Sequence, residues 1–362
     1  MANTFGSCLK MGVFGESHGR CVGVTVDGIP PGMPVDTKAI QDALDRRRPG
    51  SSPLVSARRE PDTLRILSGS HNGLATGGPI TLAIFNKDVD SSAYENRDTI
   101  PRPGHADYPA MVRSCRHQDL RGSGMFSGRM TAAHVMAGAL VLPILHRSSV
   151  EVAAHLVSVG NVCARGPFTF QEVREGSCAT PIPSADKDMR LRMGQEVRAV
   201  SDISDSIGAS IECMAVGLPP GVGEPHFDSL ESVISHAMFS IPAIKAIEFG
   251  AGFGLCAMSG SDANDPYRME GENVTSPTNR CGGIVGGMSS GMPLTFRVAV
   301  KPTPSIGVTQ KSVDMESGKN VEFKMEGRHD ACIGIRAVPV VEHMTCFCLA
   351  DMLMRWNNGQ AW

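Results

Sequence analysis

One block of sequence occurs twice, and it restricts what the chain can fold into. Val22 to Asp27 (VGVTVD) alternates as a strand does, Gly28-Ile29-Pro30-Pro31-Gly32 breaks it, and Asp36 or Thr37 is placed to cap a helix running through Ala39, Ile40, Ala43 and Leu44. The same order returns as Ala209 to Val216 (ASIECMAV), Gly217-Leu218-Pro219-Pro220-Gly221 and a helical run from Asp228 to Met238. We read this as a diverged internal duplication covering roughly 20–150 and 205–340, which predicts a two-fold pseudo-symmetric α/β core. Chance recurrence of a G-x-P-P-G turn in a chain with 24 prolines is the competing explanation.

Around these blocks the pattern predicts a helix from Thr131 to His146, a strand from Glu151 to Val159, a polar loop around Cys178 to Lys187 and a helix from Met189 to Val200. Further strands are expected at Ile244 to Phe249 and Leu294 to Val300, and a last helix from about Val338 to Trp356, stopped by Asn357, Asn358 and Gly359. No low-complexity linker divides the 362 residues, and 41% of them are hydrophobic, so one domain spanning 1–362 is expected.

The formal charge of −3 offers nothing global to nucleic acid or an anionic membrane, so any anion site must be a local cluster. The amino terminus, MANTFGSCLKMGVFGESHG, lacks the basic and then apolar pattern of a signal peptide, and no run of eighteen uncharged apolar residues occurs; neither export nor a membrane span is expected. Eleven cysteines at irregular spacings, without a C-x-x-C pair, suit reduced thiols in a cytoplasm better than a disulfide framework. Forty glycines imply many places where backbone turns sharply or approaches a ligand closely.

Polar residues concentrate in a few segments. Arg46-Arg47-Arg48-Pro49-Gly50 closes the first helix with Arg58 and Arg59 beyond it, and guanidinium forks grip phosphate or carboxylate, although cations at a helix end also complement its dipole. Arg102-Pro103-Gly104-His105-Ala106-Asp107-Tyr108 sets an arginine, a histidine and an aspartate in a stiff loop that suits a proton donor beside an anion. Arg121-Gly122-Ser123-Gly124-Met125-Phe126-Ser127-Gly128-Arg129 then leads into the Thr131 helix, where backbone N–H groups and Ser127 can meet phosphate. His18, in Gly15-Glu16-Ser17-His18-Gly19, is placed for acid–base work. The same five residues match the G-x-S-x-G elbow that would make Ser17 a nucleophile, as does Gly287-Met288-Ser289-Ser290-Gly291. Gly282 to Gly287, Lys301-Pro302-Thr303-Pro304-Ser305 and Arg328-His329-Asp330 complete the set, while Walker A, H-E-x-x-H and zinc-type spacings are absent.

In this order, G-E-S-H-G at 15–19, R-R-R-P-G at 46–50, R-P-G-H-A-D-Y at 102–108, the run at 121–131 and G-R-H-D at 327–330 closely resemble the chorismate synthase family, from about Thr4 to Met354. The resemblance implies an α/β sandwich on a repeated β-α-β unit, assembled as a homotetramer. It implies a lyase that eliminates phosphate from 5-enolpyruvylshikimate 3-phosphate to give chorismate, the last step of the shikimate pathway, with FMN required in its reduced form. The flavin is reduced either with NADPH, if the chain does so itself, or by a separate flavin reductase. By position it implies catalytic roles for His18 (protonation state of the flavin), His105 (protonation of the departing phosphate) and Asp330 (carboxylate assisting proton removal). Arg47, Arg48, Arg129 and Arg328 match substrate-binding positions; Met125, Phe126, Ser127, Ala243, Gly286, Lys301, Pro302, Thr303, Pro304, Ser305 and again Arg328 match flavin-contacting segments.

The chain departs from the commonest family pattern at Met125 and Met130, where an arginine and a glutamate are usual, and at Pro53 and Pro304, leaving Arg58 or Arg59 to supply a missing anion contact. Two other classes stand beside the main reading: a flavin- or phosphate-binding homologue disabled by those changes, and a serine hydrolase using Ser17.

Overall fold

The alternation in the first repeat block puts Val22, Val24 and Val26 at full burial and turns Thr25 to the other face, where it hydrogen-bonds Thr81 at 3.0 Å. The structure, a computed structural model, describes residues 2–50, 54–55, 60–87, 99–325 and 330–357; Pro53, Arg58, Arg59, Arg328 and His329 lie outside them.

An antiparallel sheet is made by β1 (Thr4–Phe5), β2 (Lys10–Gly15), β3 (Cys21–Asp27), β4 (Leu64–Ser68) and β5 (Ile80–Phe85), in the order β1-β2-β3-β5-β4. A second is made by β6 (Glu151–Val159), β7 (Val162–Cys163), β8 (Ala209–Val216), β9 (Ile244–Phe249) and β10 (Leu294–Val300), in the order β9-β10-β8-β6-β7. The helices are α1 (Thr37–Arg47), α2 (Asp107–Arg113), α3 (Thr131–Leu140), α4 (Leu142–Arg147), α5 (Phe170–Ser177), α6 (Lys187–Asp202), α7 (Leu230–Phe239), the single turn α8 (Gly260–Ala263) and α9 (Gly334–Trp356). In chain order, β2, β3, α1, β4 and β5 correspond to β6, β8, α7, β9 and β10, and in each sheet the last strand inserts between the second and the third.

Every residue of α3 is buried, as is all of α9 except Arg336, Arg355 and Trp356. Their backbones touch: a Cβ on Gly138 would lie 1.9 Å from the carbonyl oxygen of His343, so only glycine fits. One apolar cluster runs through both sheets and these helices, from Leu9 to Met354, with a small satellite of Ala153, Val173 and Met214. The stretches Gly128–Arg147 and Gly334–Trp356 are long and apolar enough to cross a membrane, yet they are core elements here, 83% and 100% buried over their most apolar windows.

Several boundaries differ from expectation. The helix expected over 131–146 is broken at Val141, because Pro143 lacks an N–H and its ring crowds the carbonyl four residues back. Ser229, accepting from the Ser232 N–H at 3.1 Å, starts α7 two residues late and leaves Asp228 to pair with Arg355 at 3.0 Å. The last helix starts at Gly334, with Pro339 inside it, and α6 extends two residues beyond its expected range at either end, capped by Asp186.

Candidate active site

The three consecutive arginines at the end of α1 have three different fates. Arg47 occupies the inward stripe formed with Ile40, Ala43 and Leu44, a position that periodicity reserves for an apolar residue, and is 1% exposed. Arg46, on another face, donates to both oxygens of Glu342 at 2.6 and 3.0 Å. Arg48 caps the helix, 42% exposed and 3.5 Å from Asp45, and its guanidinium does not join the buried group.

Burying Arg47 demands an anion, and Asp62 supplies it. Its Oδ2 accepts from Arg47 Nη2 and its Oδ1 from Arg129 Nη1 at 2.9 Å, all three side chains being buried. Burial alone would push the Asp62 carboxyl up, but the two guanidinium groups outweigh it and hold it below the usual carboxylate range. Burial, opposed by Asp62, lowers Arg47 to about 10, which leaves it charged at neutral pH. Arg129 also donates from Nε to Asn86 Oδ1 at 2.5 Å, and Asn86 Nδ2 donates to the carbonyls of Glu16 and Gly19 at 3.1 and 2.8 Å. The anion cluster is thereby tied to the β2–β3 turn that carries His18. On its other side Arg336 donates to the Arg47 carbonyl at 3.0 Å and to Asp330 at 2.7 Å.

His18, 8% exposed, faces the loop at 121–126. Gly122 has φ +58°, and a Cβ there would lie 2.4 Å from the imidazole Cδ2, so the loop covers the ring only because residue 122 is glycine. From this loop Ser123 accepts from Arg102 Nη2 at 3.0 Å, while Arg102 Nη1 donates to Ser305 at 3.1 Å. Arg102 further holds both oxygens of Asp107 at 2.7 Å, and Asp107 Oδ1 lies 2.6 Å from His105 Nδ1. Burial would raise the Asp107 carboxyl, but hydrogen bonds from Arg102 and His105 hold it well below the usual range. The Lys301 ammonium donates to the Gly104 carbonyl, and burial, with Lys245 nearby, lowers it.

The structure thus brings together His18, His105, Asp330, Arg47, Arg129, Ser127 and the segment Lys301, Pro302, Thr303, Pro304 and Ser305. Ser127 accepts from the Arg129 N–H at 3.2 Å, and Met125 and Phe126 are half-buried in the loop beside it. Thr303 accepts at its carbonyl from Ser206 at 2.7 Å, and Ala243, held at φ +74°, accepts from the Lys301 N–H at 2.9 Å. Gly286 stands apart, in the turn of a hairpin at 284–289 near the far end of β10, a strand of seven residues and so about 20 Å long.

The residues fit a multiply anionic ligand. Among the described residues, Arg47 Nε, Arg129 Nη2, Ser17 Oγ and Thr303 Oγ1 are buried without a hydrogen-bond partner, and such groups are costly unless something polar meets them. A Cβ on Gly128 would meet nothing within 4 Å among the described residues, which leaves room beside Ser127. The hydrolase alternative is corrected: Ser17 is fully buried in a strand-to-strand turn, whereas an elbow needs an exposed serine between strand and helix. Ser289 is a structural pin, donating to the Pro219 carbonyl at 2.5 Å and accepting from the Val222 N–H at 2.9 Å. Met130, where the resemblance expects a glutamate, is buried in the apolar core.

Asp62, Asn86 and Arg336 were not among the residues expected in the site, and Arg102, Asp107 and Ser123 were expected there only as members of their segments, without roles of their own. An arginine on the apolar stripe of α1 was the available signal for a buried counter-ion, but nothing local said which carboxylate would answer it.

The family profile for chorismate synthase matches residues 9–354. Chorismate synthase of Korarchaeum cryptofilum is 45% identical over 355 residues, 98% of either chain. That of Dehalococcoides mccartyi is 42% identical over 355 residues, covering 98% of this chain and 97% of the relative, and that of Methanosarcina acetivorans 44% over 353, covering 98% and 96%. A crystal structure of chorismate synthase, 27% identical, superposes with a TM-score of 0.73 over 98% of this chain and 94% of that one.

Proposed function

This chain belongs to the chorismate synthase family, and from that premise we propose that it is a cytoplasmic carbon–oxygen lyase acting on a phosphate ester. It removes phosphate from 5-enolpyruvylshikimate 3-phosphate by trans 1,4-elimination to give chorismate. The observation that carries this reading is the continuous polar chain from Asp330 through Arg336, Arg47, Asp62, Arg129 and Asn86 to the His18 turn, along which Arg47 Nε and Arg129 Nη2 have no hydrogen-bond partner among the described residues.

Reduced FMN, when bound, lends electron density for the C–O cleavage and is recovered unchanged. Ser127, Ala243 and the 301–305 segment are the residues that would hold it. Arg47 and Arg129 bind the substrate's anionic groups with the donors left over from Asp62. His105 gives a proton to the departing phosphate, His18 would keep a bound flavin in its proper protonation state, and Asp330, held by Arg336, assists removal of the proton from carbon 6.

Anaerobic phosphate release with dithionite-reduced FMN tests this: release without net flavin oxidation is expected. Activity in oxidised, flavin-free buffer, or one flavin oxidised per turnover, would sink it.

The matched element order of the two sheets supports reading the chain as one domain built by internal duplication. A homotetramer is supported by the exposed Phe253, Tyr267, Met269, Val274, Val285 and Met288 in the segment between β9 and β10. Gly286 shares that surface and would meet a flavin held by a neighbouring copy. Light scattering that finds only monomer at micromolar concentration overturns the assembly.

A further inference from the structure

We propose that Asp62 is the positioning residue that holds Arg47 and Arg129 in the orientation in which they receive the substrate's anionic groups, an inference that rests on the substrate-binding roles given to both arginines above. Its side chain is fully buried. Oδ2 accepts from Arg47 Nη2 and Oδ1 from Arg129 Nη1 at 2.9 Å, so one carboxylate serves two arginines with one oxygen each.

The neighbouring buried pair is built differently. Arg46 gives both Nη1 and Nη2 to the two oxygens of Glu342, at 2.6 and 3.0 Å, so that fork meets fork and the carboxylate satisfies a single partner. Asp62 engages one nitrogen of each of its arginines. Among the described residues Arg47 Nε and Arg129 Nη2 have no hydrogen-bond partner, and Arg47 Nη1 lies 3.5 Å from Thr131 Oγ1, at the limit of a bond. Glu60 Oε2 stands 3.7 Å from Arg129 Nη2, close enough to offset charge but too far to occupy an N–H. Each guanidinium is thus anchored through one nitrogen and keeps donors for a phosphate or carboxylate.

The carboxylate can act as an anchor because its own place is fixed. Gln41 on α1 donates to the Asp62 carbonyl at 3.2 Å and accepts from the Leu64 N–H at 2.9 Å. Asp62 itself has φ +44°, a left-handed conformation that aspartate adopts more readily than most residues. The end of α1, the segment leading into β4 and the turn that opens α3 therefore meet at one carboxylate. Without it, two like charges would be left side by side in the interior and would separate.

Asparagine keeps the shape of Asp62 and breaks the division. A carboxamide has one oxygen and one NH2 group, so whichever way it turns, the NH2 faces a guanidinium and that arginine loses its anchor. In the full-length protein with reduced FMN, Asp62→Asn should raise KM about 10- to 100-fold, with kcat changed less and reduced-FMN affinity within about threefold. Glu342→Gln controls for stability alone, because it breaks the pair on the adjacent arginine; its KM should stay within about threefold of wild type. A wild-type KM in Asp62→Asn, or an equal rise in Glu342→Gln, overturns the proposal. Should Asp62→Asn not fold, a crystal structure of the wild-type protein with substrate and oxidised FMN decides. Arg47 and Arg129 should each donate to the substrate while Asp62 keeps its bond to both, and an Asp62 that has released either arginine overturns the proposal. Arg47→Ala separates the two levels of inference. An unchanged KM there removes Arg47 from substrate binding, and the proposal with it, whereas a raised KM beside a wild-type Asp62→Asn leaves the arginine's role standing and sinks that of Asp62 alone.

Discussion

The two sheets are assembled alike and equipped differently. Where α1 ends in Arg46, Arg47 and Arg48, α7 ends in Met238, Phe239 and the capping Ser240. The short β2–β3 turn holds His18 against a covering loop; the corresponding β6–β8 connection is extended by α5 and α6, and the histidine of that sheet, His155, is fully buried and accepts from the Ala185 N–H at 3.1 Å. Inward strand positions are apolar in both halves, because a sheet face must be covered in either. Strand ends and turns carry no such demand and are free to hold chemistry in one half alone.

The contrast is most exposed to test at the histidines. His105→Ala should lower kcat about 10²- to 10⁴-fold with reduced-FMN binding nearly intact. His155→Ala should leave kcat unchanged and cost about 1–3 kcal/mol in urea denaturation, since it orphans a buried N–H. Loss of turnover in His155→Ala would break the division between halves.

Next in size is the arginine. Arg47→Ala removes one partner of a buried ion pair and should destabilise the protein by about 3–5 kcal/mol, with a raised KM where folding survives. An unchanged KM would take Arg47 out of substrate binding.

Acid should separate the regions too. His134, on α3 and 3.3 Å from Ser240, is pushed down to about 4 by burial. The folded state then binds fewer protons than the unfolded one between about pH 4 and 6.5, so stability is full above that window and falls as pH drops through it, by about 3 kcal/mol at most. Asp62 acts lower: its depressed carboxyl adds stability above about pH 4 that is lost as pH falls through its folded value. His134→Gln should flatten the loss between pH 6.5 and 4.5 and leave the steeper acid limb in place. A denaturation series in which the variant keeps the wild-type slope excludes His134 as its source.

The smallest effect belongs to Ser240→Ala, which gives up one hydrogen bond to His134 and should cost about 1 kcal/mol with no change in KM, against Arg47→Ala at the matching helix end.

Much of the scaffold is legible along the chain. Val22 to Asp27, Ala209 to Val216 and Leu294 to Val300 read as strands from alternation and are strands, and of the two candidate caps, Asp36 and Thr37, Asp36 caps α1. Two of the misplaced boundaries are at Pro143 and Ser229, single residues whose local chemistry overrode an otherwise helical pattern. In the site, the arginine-, histidine- and glycine-bearing segments were legible as segments, but not the pairing of Arg47 with Asp62, nor of Arg102 with Ser123 and Ser305.

The chain's own pattern therefore determined where one strand of the first sheet and four of the second lie, which of their residues turn inward, and that anion-binding groups gather in a few glycine-rich loops. Those properties are local, set by periodicity, caps and backbone freedom over a few residues. Only the tertiary structure decided that Arg46 and Arg47 go to Glu342 and Asp62, that a loop a hundred residues away closes over His18, and that Gly286 lies a strand's length from Lys301. A charge's partner depends on which buried carboxylate the packed core brings within hydrogen-bonding distance, and sequence spacing does not record that distance.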